Sequence, residues 1–353
     1  MKIAVDTGPL KSGDSVRGIG VYTREIIEAL ESIQKIGSNK FDLYPIDYFN
    51  HQSSSVDHYD VIHFTRFNPF FVSIPLRKQK HVKFVLTIYD LIPLIYPEHY
   101  PSGVKGWMNW QINKFIIKKN VDAIITISET SKKDICRFIG VNPDKVHVTH
   151  LAPRFAFRKL QIGTWKPEIR KRYGLPDRFA LYVGDINYNK NIPVLIESCK
   201  IAEIPLAVVG KQAKEIKNMD LNHPELAHLK GLNWDEVIRP GFVPDEDLVK
   251  IYNLASIYVQ PSLCEGFGLP VLEAQAAGVA VVASKTQALT EITGDSAIFA
   301  EPNSVHDLAG QIILLMGDLS LKKELVKKGF KNAEKYSWNK TAAKTLQIYQ
   351  TEQ

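Results

Sequence analysis

Residues 261–274 read Pro-Ser-Leu-Cys-Glu-Gly-Phe-Gly-Leu-Pro-Val-Leu-Glu-Ala and follow the apolar run Ser256–Gln260. The apolar run predicts a buried strand, the two glycines predict a tight turn, and Pro270 favours the first turn of a helix, where its missing N–H costs nothing. Such a stretch is a βα unit. Glu265 lies in the turn and Glu273 lies about one turn inside the helix, so both carboxylates can face one ligand.

A helix that starts directly after a glycine turn suits an anionic ligand. Its first N–H groups have no acceptor within the helix, and its dipole places positive charge at that end. Glycines also let a ligand approach the main chain closely. A purely structural turn has the same pattern, so both interpretations remain open on this pattern alone.

The βα pattern recurs along the whole chain, because short runs rich in Val, Ile, Phe and Tyr alternate with longer amphipathic stretches. This alternation predicts an α/β protein with parallel sheets. The predicted strands of the first half are Lys2–Asp6, Asp42–Tyr48, Asp60–Phe64, Lys83–Tyr89, Ala123–Ser128 and Lys145–His150. Those of the second half are Ala180–Val183, Leu206–Val209, Val237–Phe242, Ser256–Gln260, Val279–Ala283 and Ala297–Phe299.

A chain of 353 residues is long enough for two domains. Pro153–Tyr173 is rich in Arg and Lys and lacks a strand pattern, which predicts a linker there. We therefore expect one domain over residues 1–160 and a second over residues 161–336. Ser337 is a good helix N-cap, and residues 337–353 are expected to form a helix that can pack back on the first domain.

Charge is spread unevenly over an otherwise ordinary globular composition. Residues 1–160 hold 22 Lys+Arg against 15 Asp+Glu, whereas residues 161–353 hold 22 against 23. The excess in the first half suits an anionic partner such as a lipid surface or a phosphate-bearing acceptor, and a solvated basic face accounts for it equally well. No nucleic-acid partner is expected.

A predicted helix in the first half mixes aromatics with lysines, around Trp107, Trp110 and Lys114. This pattern fits a helix lying on an anionic membrane surface, and it also fits a helix that buries one stripe against its own sheet.

The three cysteines are widely spaced and lack metal-ligand spacing, which favours a reduced, cytoplasmic setting. No apolar run approaches the roughly 20 residues of a membrane span, and the first residues read directly into a strand without a secretion leader. We expect a cytoplasmic protein, with peripheral contact at the inner face of the membrane as the extension of that hypothesis.

Glu265 and Glu273 are separated by seven residues, and the intervening run begins Gly-Phe-Gly-Leu-Pro. This stretch resembles the E-x7-E motif of the retaining glycosyltransferases of family 4. The resemblance implies a GT-B fold, in which two Rossmann-like domains with parallel sheets face each other across a cleft. It assigns acceptor binding to the domain over residues 1–160 and nucleotide-sugar binding to the domain over residues 161–336. It further implies that Glu265 contacts the donor sugar, that Glu273 binds the ribose hydroxyls, and that the amides of Gly268 and Leu269 touch the diphosphate. Phe267 falls within the same donor site.

Tyr182–Asn191 resembles the phosphate-binding strand end of that family. The resemblance places Gly184 in the donor site and implies that Lys190 clamps the diphosphate. The arginine usually found nearby is absent, and Asp185 and Asn189 occupy its expected positions. The candidates for replacing its charge are Arg66, Arg154 and Lys211.

Arg17–Tyr22 contains two glycines between the first strand and the helix that follows. A dinucleotide fingerprint would need a third glycine where Thr23 stands, so a nicotinamide site loses its main support. The loop is similar instead to the family's glycine loop, which implies a backbone contact from Gly18 to the donor. A plain βα turn is the alternative.

Ile88–Leu94 resembles the family's cleft segment, which normally reads His-Asp-Leu-Ile-Pro. Tyr89 stands in place of the histidine that contacts the sugar, and its hydroxyl can hydrogen-bond but carries no charge near neutral pH. Asp90 is a catalytic candidate that would bind the acceptor at the carboxyl end of a strand, or it caps the following loop.

Gly241–Pro244 matches the family segment that lies against the nucleotide base, which carries Val243 over to that role. The three acids Asp245–Asp247 come next. They suggest either a metal site or a helix start whose dipole favours negative charge, and we expect the second. No metal and no cofactor are therefore expected.

Breaking the bond between a sugar and a diphosphate requires stabilisation of the departing phosphates, and no protein nucleophile is apparent in these motifs. Together with the resemblance, this predicts retaining, metal-independent hexosyl transfer to a glycan or lipid-linked glycan. Residues 64–69 and 89–93 resemble those of bacterial surface-polysaccharide mannosyltransferases, which favours GDP-mannose as donor, followed by UDP sugars. The alternatives are a non-catalytic carbohydrate- or nucleotide-binding relative and a GT-B sugar-nucleotide epimerase.

Overall fold

The computed structural model describes residues 1–13, 18–36, 41–48, 58–161 and 163–351. The chain divides into two compact units, and it passes from the first to the second between Leu151 and Ala152. Unit 1 comprises Met1–Pro97, Pro101–Leu151 and Tyr336–Gln353, and unit 2 comprises Glu98–Tyr100 and Ala152–Lys335.

Unit 1 contains one six-stranded parallel sheet among its described residues, in the order β2-β1-β3-β4-β5-β6. Strands β3, β4 and β5 are buried along their whole length, as expected when helices cover both faces of a parallel sheet. The strands are β1 Lys2–Asp6, β2 Asp42–Ile46, β3 Val61–Phe64, β4 Lys83–Thr87, β5 Ala123–Thr126 and β6 Val146–Val148. The helices of this unit are α1 Gly18–Ile36, α2 Ile92–Ile95, α3 Gly103–Asn120, α4 Glu129–Ile139 and α13 Trp338–Gln350.

Helix α13 packs within unit 1 although it comes last in the chain. Its N-cap is Ser337, whose hydroxyl accepts a hydrogen bond from the Lys340 N–H. At the other end the buried Lys83 ammonium donates to the carbonyl oxygens of Ile348 and Thr351, at 2.6 and 2.7 Å. A cation on the last carbonyls complements the negative end of a helix, which fixes α13 against β4.

Unit 2 repeats the architecture with a second six-stranded parallel sheet, in the order β12-β11-β10-β7-β8-β9 for its described residues. The strands are β7 Ala180–Val183, β8 Leu206–Val209, β9 Val237–Gly241, β10 Ile257–Gln260, β11 Val281–Ser284 and β12 Ile298–Ala300. The helices are α5 Trp165–Tyr173, α6 Ile192–Ile201, α7 Lys211–Glu215, α8 Asp245–Leu254, α9 Leu269–Ala276, α10 Gln287–Thr293, α11 Val305–Gly317 and α12 Leu319–Ala333.

Every strand predicted from the sequence is present, with its ends displaced by two residues at most. The strands end earlier than predicted mainly where an apolar residue after the strand is buried by a loop instead. Ile88 and Ile127 are examples, since both are buried yet lie outside β4 and β5.

The predicted linker over Pro153–Tyr173 is wrong. Trp165–Tyr173 forms helix α5, and both Phe157 and Ile169 are buried in the core of unit 2. Trp165 and Tyr173 pack partly buried against the same core, each four positions from Ile169, so a charge-rich composition concealed a helix with one apolar side.

Candidate functional site

Helix α9 begins where the sequence predicts. Gly268 is its N-cap in the left-handed conformation, with φ 98°, and Pro270 lies in the first turn. A Cβ at Gly268 would stand 2.6 Å from Cδ2 of Leu289, so both the backbone angle and the space require glycine. The turn therefore delivers the start of α9, with its outward-pointing amides, immediately after the loop that carries Glu265.

Glu265 is a buried carboxylate held by three neighbours. Its Oε1 accepts hydrogen bonds from Ser262 Oγ at 2.6 Å and from Gln260 Nε2 at 2.8 Å. The Lys190 ammonium donates to both carboxylate oxygens, at 2.8 and 3.0 Å. Tyr258 in turn donates to the Gln260 side-chain oxygen at 2.6 Å, which fixes the amide that holds Glu265. Glu265 and Lys190 are thus brought together, although 75 positions separate them.

The strand order of the unit 2 sheet explains why Lys190 and Glu265 lie close together. In unit 2, β8 and β9 lie on one side of β7, whereas β10 lies on the other, so the direction of the sheet reverses between β7 and β10. Ligands of open α/β sheets bind at the carboxyl ends of the strands at such a reversal. Lys190 follows β7 and Glu265 follows β10, which places the pair at the binding crevice expected for this fold.

Glu273 lies on the second turn of α9 and is only 2% exposed. Its Oε1 accepts a hydrogen bond from Arg154 Nε at 2.7 Å, and Tyr252 lies 3.5 Å from its Oε2. Arg154 also pairs with Asp245, the first residue of α8. Burial raises the pKa of Glu273, and Arg154 opposes that rise; burial alone would lower the pKa of Arg154, but Glu273 and Asp245 raise it above its ordinary value.

The segments that follow β7 and β8 come so close together that glycine is needed at their contact. Gly184 has φ 150°, and its carbonyl oxygen would lie 2.2 Å from a Cβ placed on Gly210, which follows β8. The missing side chain at Gly210 therefore lets the backbones that follow β7 and β8 approach each other closely. Asn189, at an expected position of the missing arginine, is occupied by structural bonds: its Nδ2 donates to Cys264 O at 3.0 Å, and its Oδ1 accepts from Tyr100 at 2.8 Å.

Two predicted contact residues have their side chains in the core. Val243 and Phe267 are 4% and 2% exposed, whereas Phe242, next to Val243, is 59% exposed. A ligand at the loop after β9 would therefore meet the Phe242 ring and the backbone of Val243. The side chain named by the sequence match is therefore buried, and contact of this segment with a nucleotide base stays a prediction.

The acidic run after this loop is held by basic partners. Asp247 accepts hydrogen bonds from Arg172 at 2.6 Å, Tyr173 at 2.8 Å and Lys250 at 2.9 Å. Burial alone would raise the pKa of Asp247, but these three bonds lower it. The acids occupy the first turn of α8, as expected for the positive end of a helix.

The predicted site residues of unit 1 lie at the carboxyl side of its sheet. Gly18 is the exposed first residue of α1, and no described atom would lie within 4 Å of a Cβ added there; Arg17 lies outside the described residues. The Tyr89 hydroxyl donates to Thr65 O at 2.7 Å. Asp90 Oδ1 accepts from the Ile92 N–H at 3.2 Å, which is the loop-capping interaction proposed as its alternative role.

Sequence reasoning missed the residues that hold the two glutamates. The sequence predicts Gln260 only as the last residue of a strand, assigns no role to Ser262, and offers Arg154 only as a source of positive charge. A signal existed for Gln260, because a polar residue ending an apolar strand must find a hydrogen-bond partner when buried. No signal in the sequence links Arg154 to Glu273, 119 positions away.

Two family models match the chain, one in each unit. Residues 36–152 match the model described as Glycosyltransferase Family 4, and residues 166–332 match Glycosyl transferases group 1. Together they cover most of the chain.

Two relatives from Escherichia coli are named as mannosyltransferases. The chain is 26% identical to O-antigen chain mannosyltransferase B, over 99% of each protein. It is 31% identical to the serotype-specific mannosyltransferase WbdA over 74% of this chain, but it spans only 32% of that longer protein.

A solved structure supports the same fold. The structure of HepE from Anabaena in complex with UDP and glucose superposes with a TM-score of 0.69 at 16% identity, covering 99% of this chain and 100% of HepE. With two parallel six-stranded sheets at its centre and a matching family model in each half, this chain has the GT-B fold and belongs to the glycosyltransferases of family 4.

Proposed function

We propose that this glycosyltransferase moves a hexose, with mannose favoured, from a nucleoside diphosphate sugar to a glycan or lipid-linked glycan, with retention of the anomeric configuration and without a metal ion. The observation that carries the proposal is the Lys190–Glu265 pair at the reversal point of the unit 2 sheet, beside the start of α9.

In this proposal the diphosphate of the donor binds where Lys190 and the start of α9 supply positive charge. The Lys190 side chain is 22% exposed and that of Glu265 is 9% exposed, so in this proposal the lysine is the member of the pair that meets the phosphate. A second anion would share the ammonium with Glu265. Glu265 remains held by Gln260 and Ser262, so it can accept hydrogen bonds from sugar hydroxyls without losing its position.

The chemical step breaks the bond between the anomeric carbon and the diphosphate oxygen and forms a bond to the acceptor oxygen on the same face. The acceptor hydroxyl gives its proton to the departing phosphate. Lys190 and the α9 amides stabilise the negative charge that grows on the leaving group, which is the main demand of this reaction. Asp90 is proposed to orient the acceptor, and Tyr89 and Gly18 to contact the donor.

Glu273 is proposed to bind the ribose hydroxyls as a carboxylate. Arg154 supports that role, because a carboxylate that is 2% exposed stays ionised only with a cation at hand. Gly184, Gly268, Leu269, Val243 and Phe267 complete the proposed donor site through their backbone or through the loops that they support.

The names of the relatives support mannose as the transferred sugar and an O-antigen-like glycan as the acceptor. GDP-mannose is therefore the first donor to test, and UDP-glucose is the second because UDP and glucose are bound in HepE. We propose a cytoplasmic location together with these donors. No helix among the described residues has the length and apolarity to cross a bilayer.

The proposal is tested by turnover of GDP-mannose, UDP-glucose and dTDP-glucose with and without a glycan acceptor, in EDTA, with the product's anomeric configuration read by NMR. We expect Glu265→Gln and Lys190→Ala to lower kcat by about 10²–10³-fold, the cost typical of losing one group that stabilises transition-state charge.

Matched controls lie on α6, where Glu197→Gln and Lys200→Ala alter exposed residues of the same types. Full activity of both site variants would overturn the site. Inversion of configuration, or loss of activity in EDTA that added metal restores, would overturn the mechanism.

A further inference from the structure

Three residues lie in unit 2 although their chain neighbours on both sides belong to unit 1. They are Glu98–Tyr100, which we call the 98–100 segment. Pro97 and Pro101 flank it, and each proline ring fixes its own backbone angle φ, which limits the conformations of the segment. Two of its side chains contact the turn Tyr188–Lys190, which ends at the lysine of the proposed donor site. The segment is therefore placed to influence that lysine.

Tyr100 bonds to the middle residue of this turn. Its hydroxyl donates a hydrogen bond to Asn189 Oδ1 at 2.8 Å and accepts one from the Asn189 N–H at 3.4 Å. The His99 ring stacks on the Tyr188 ring, with the centroids 3.3 Å apart and the planes inclined by 12°. The 98–100 segment thus contacts the two successive residues that immediately precede Lys190.

Asn189 also joins the turn to the loop that carries Glu265. It is 5% exposed, and its Nδ2 donates to Cys264 O at 3.0 Å. Its main-chain carbonyl accepts a hydrogen bond from the Leu263 N–H at 2.8 Å. One buried asparagine therefore connects the turn that ends at Lys190 with the two residues that precede Glu265.

The residue after Lys190 makes a similar connection. Asn191 has φ 56°, and its Nδ2 donates to Pro261 O at 3.0 Å and to Pro302 O at 2.7 Å. Lys190 therefore stands between two asparagines whose amides both bond to carbonyls of residues 261–264. Because a lysine ammonium is carried on a flexible four-carbon stem, its position depends on how well its backbone is fixed. These bonds fix the backbone of Lys190 relative to that loop.

We propose that Tyr100 acts through Asn189 as a positioning residue for the Lys190 ammonium in glycosyl transfer. The proposal rests on the function proposed above, in which Lys190 stabilises the departing diphosphate. Among the described residues, the Tyr100 hydroxyl is the one donor to Asn189 Oδ1. Without this hydroxyl the buried amide oxygen lacks a partner, so the amide is free to turn away from Cys264. A displacement of about 1 Å at a reacting group can cost about 10²-fold in rate.

Steady-state kinetics test the proposal, with whichever of GDP-mannose, UDP-glucose and dTDP-glucose the wild-type protein turns over fastest. Tyr100→Phe removes the hydroxyl and keeps the ring. We expect its kcat to fall about tenfold, less than for Lys190→Ala, while KM for the donor stays within about threefold. Tyr100→Phe combined with Asn189→Ala should be no slower than Asn189→Ala alone, because both changes act on the same amide.

Position 189 is one of the two where the family resemblance expects an arginine, and this offers a further test. Arginine has no acceptor for the Tyr100 hydroxyl, so Asn189→Arg should lower kcat although it adds a cation. A kcat above the wild-type value in Asn189→Arg would overturn the proposal, because position 189 would then act on the diphosphate directly.

A second double-mutant cycle separates positioning from a general loss of structure. In the Lys190→Ala background, Tyr100→Phe should leave kcat unchanged, because no ammonium is left to position. A tenfold loss of similar size in both backgrounds would show that the hydroxyl acts on something other than Lys190, and the proposal would be wrong.

Asn253→Ala is the matched control, because Asn253 is another asparagine of unit 2 that joins two segments. Its Nδ2 donates to Arg158 O at 3.0 Å, and its Oδ1 accepts from the Leu160 N–H at 2.9 Å. Asn253→Ala should lower the midpoint of thermal unfolding by about as much as Asn189→Ala, yet leave kcat at the wild-type value.

Hydrogen exchange tests the structural step without any turnover. The Leu263 amide, which donates to Asn189 O, should exchange faster in Tyr100→Phe than in the wild type, while the amides of β10 keep their rates. Unchanged exchange at Leu263 would overturn the proposal.

The kinetic results distinguish the two proposals. If the wild type turns over none of the donors, the proposed function fails and the positioning role fails with it. If the wild type is active and Tyr100→Phe is equally active, the positioning role alone is overturned.

Discussion

The two units bury polar groups beneath similar sheets, but the chemistry of those groups differs. In unit 2 the buried carboxylates Glu265 and Glu273 are each paired with a cation, Lys190 and Arg154. In unit 1 the buried His63 bridges two hydroxyls, with Nδ1 2.7 Å from Tyr349 and Nε2 2.7 Å from Thr87. Burial lowers the pKa of His63 to about 3, so its ring is neutral.

The ion pairs of unit 2 can bind a charged ligand, whereas the neutral hydrogen-bond network around His63 in unit 1 has a structural role. An ion pair at the carboxyl edge of a sheet can exchange one charge for that of a ligand, since a phosphate can replace or share a carboxylate's cation. A neutral network of hydroxyls and an imidazole offers an incoming anion no charge. Unit 1 also buries charged groups, among them Asp47 in an ion pair with Lys11, so burial of charge alone does not distinguish the units. We assign the nucleotide to unit 2 because the Lys190–Glu265 pair lies at the reversal of its sheet.

The largest effect is expected when the buried ion pair between Arg154 and Glu273 in unit 2 is broken. Arg154→Ala should lower the free energy of unfolding of unit 2 by about 3–5 kcal/mol at pH 7, because Glu273 is left as a buried carboxylate without its cation. Burial raises the pKa of Glu273 in the folded state, so the loss should be smaller near pH 4.5 and should grow as the pH rises. Urea unfolding at several pH values measures this.

The control for Arg154→Ala is its combination with Glu273→Gln. A neutral amide needs no cation, so the double variant should be more stable than Arg154→Ala alone at pH 7. If the double variant is equally unstable, Arg154 stabilises unit 2 through packing, for example against the Phe157 ring 4.2 Å away.

An intermediate effect is expected from the buried, neutral His63 in unit 1, which should make the stability of this unit depend on pH. Below pH 6.5, His63 becomes protonated in the unfolded chain but not in the folded chain. The free energy of unfolding should therefore fall by about 1.4 kcal/mol for each unit by which the pH is lowered, until the pH approaches 3. Hydrogen exchange of β3 and β4 amides between pH 7 and pH 5 measures the opening of unit 1. His63→Gln should flatten this dependence, and an unchanged slope in the variant would show that another group titrates.

The smallest expected effect concerns the hydrogen bond between Tyr349 and His63 in unit 1. Tyr349→Phe removes one hydroxyl from His63 and should cost about 1 kcal/mol, the usual net value of a hydrogen bond. Glycosyl transfer by the folded variant should stay at the wild-type level, because Tyr349 lies in the buried interior of unit 1. A large fall in kcat with unchanged stability would instead bring this network into the reaction.

Much of the fold could be predicted because it depends on local pattern. Continuous apolar runs fixed the positions of the strands, and Gly268 with Pro270 fixed the start of α9. The linker prediction failed at α5, because the apolar spacing of this helix consists of Trp165, Ile169 and Tyr173 alone, within a segment dominated by charged residues. Such a helix is stabilised by tertiary packing, which composition does not report.

The site was predictable only in part. The spacing of Glu265 and Glu273 on one turn and one helix is local, and so the sequence carries it. Their cations come from residues 75 and 119 positions away, and which distant loops meet depends on strand order. The exposure of Phe242 in place of Val243 likewise depends on which side chain the core accepts, a choice made by packing rather than by motif.

Helix α13 gives the folding of this protein an order in time. It supplies Tyr349 and the carbonyls bound by Lys83 to a unit whose first 97 residues are synthesised long before it. All of unit 2 is translated in between, so unit 2 can fold during synthesis while unit 1 stays open along the groove that α13 later fills. Until α13 is synthesised, His63 lacks the Tyr349 hydroxyl and Lys83 lacks the carbonyls of Ile348 and Thr351, so unit 1 is completed last.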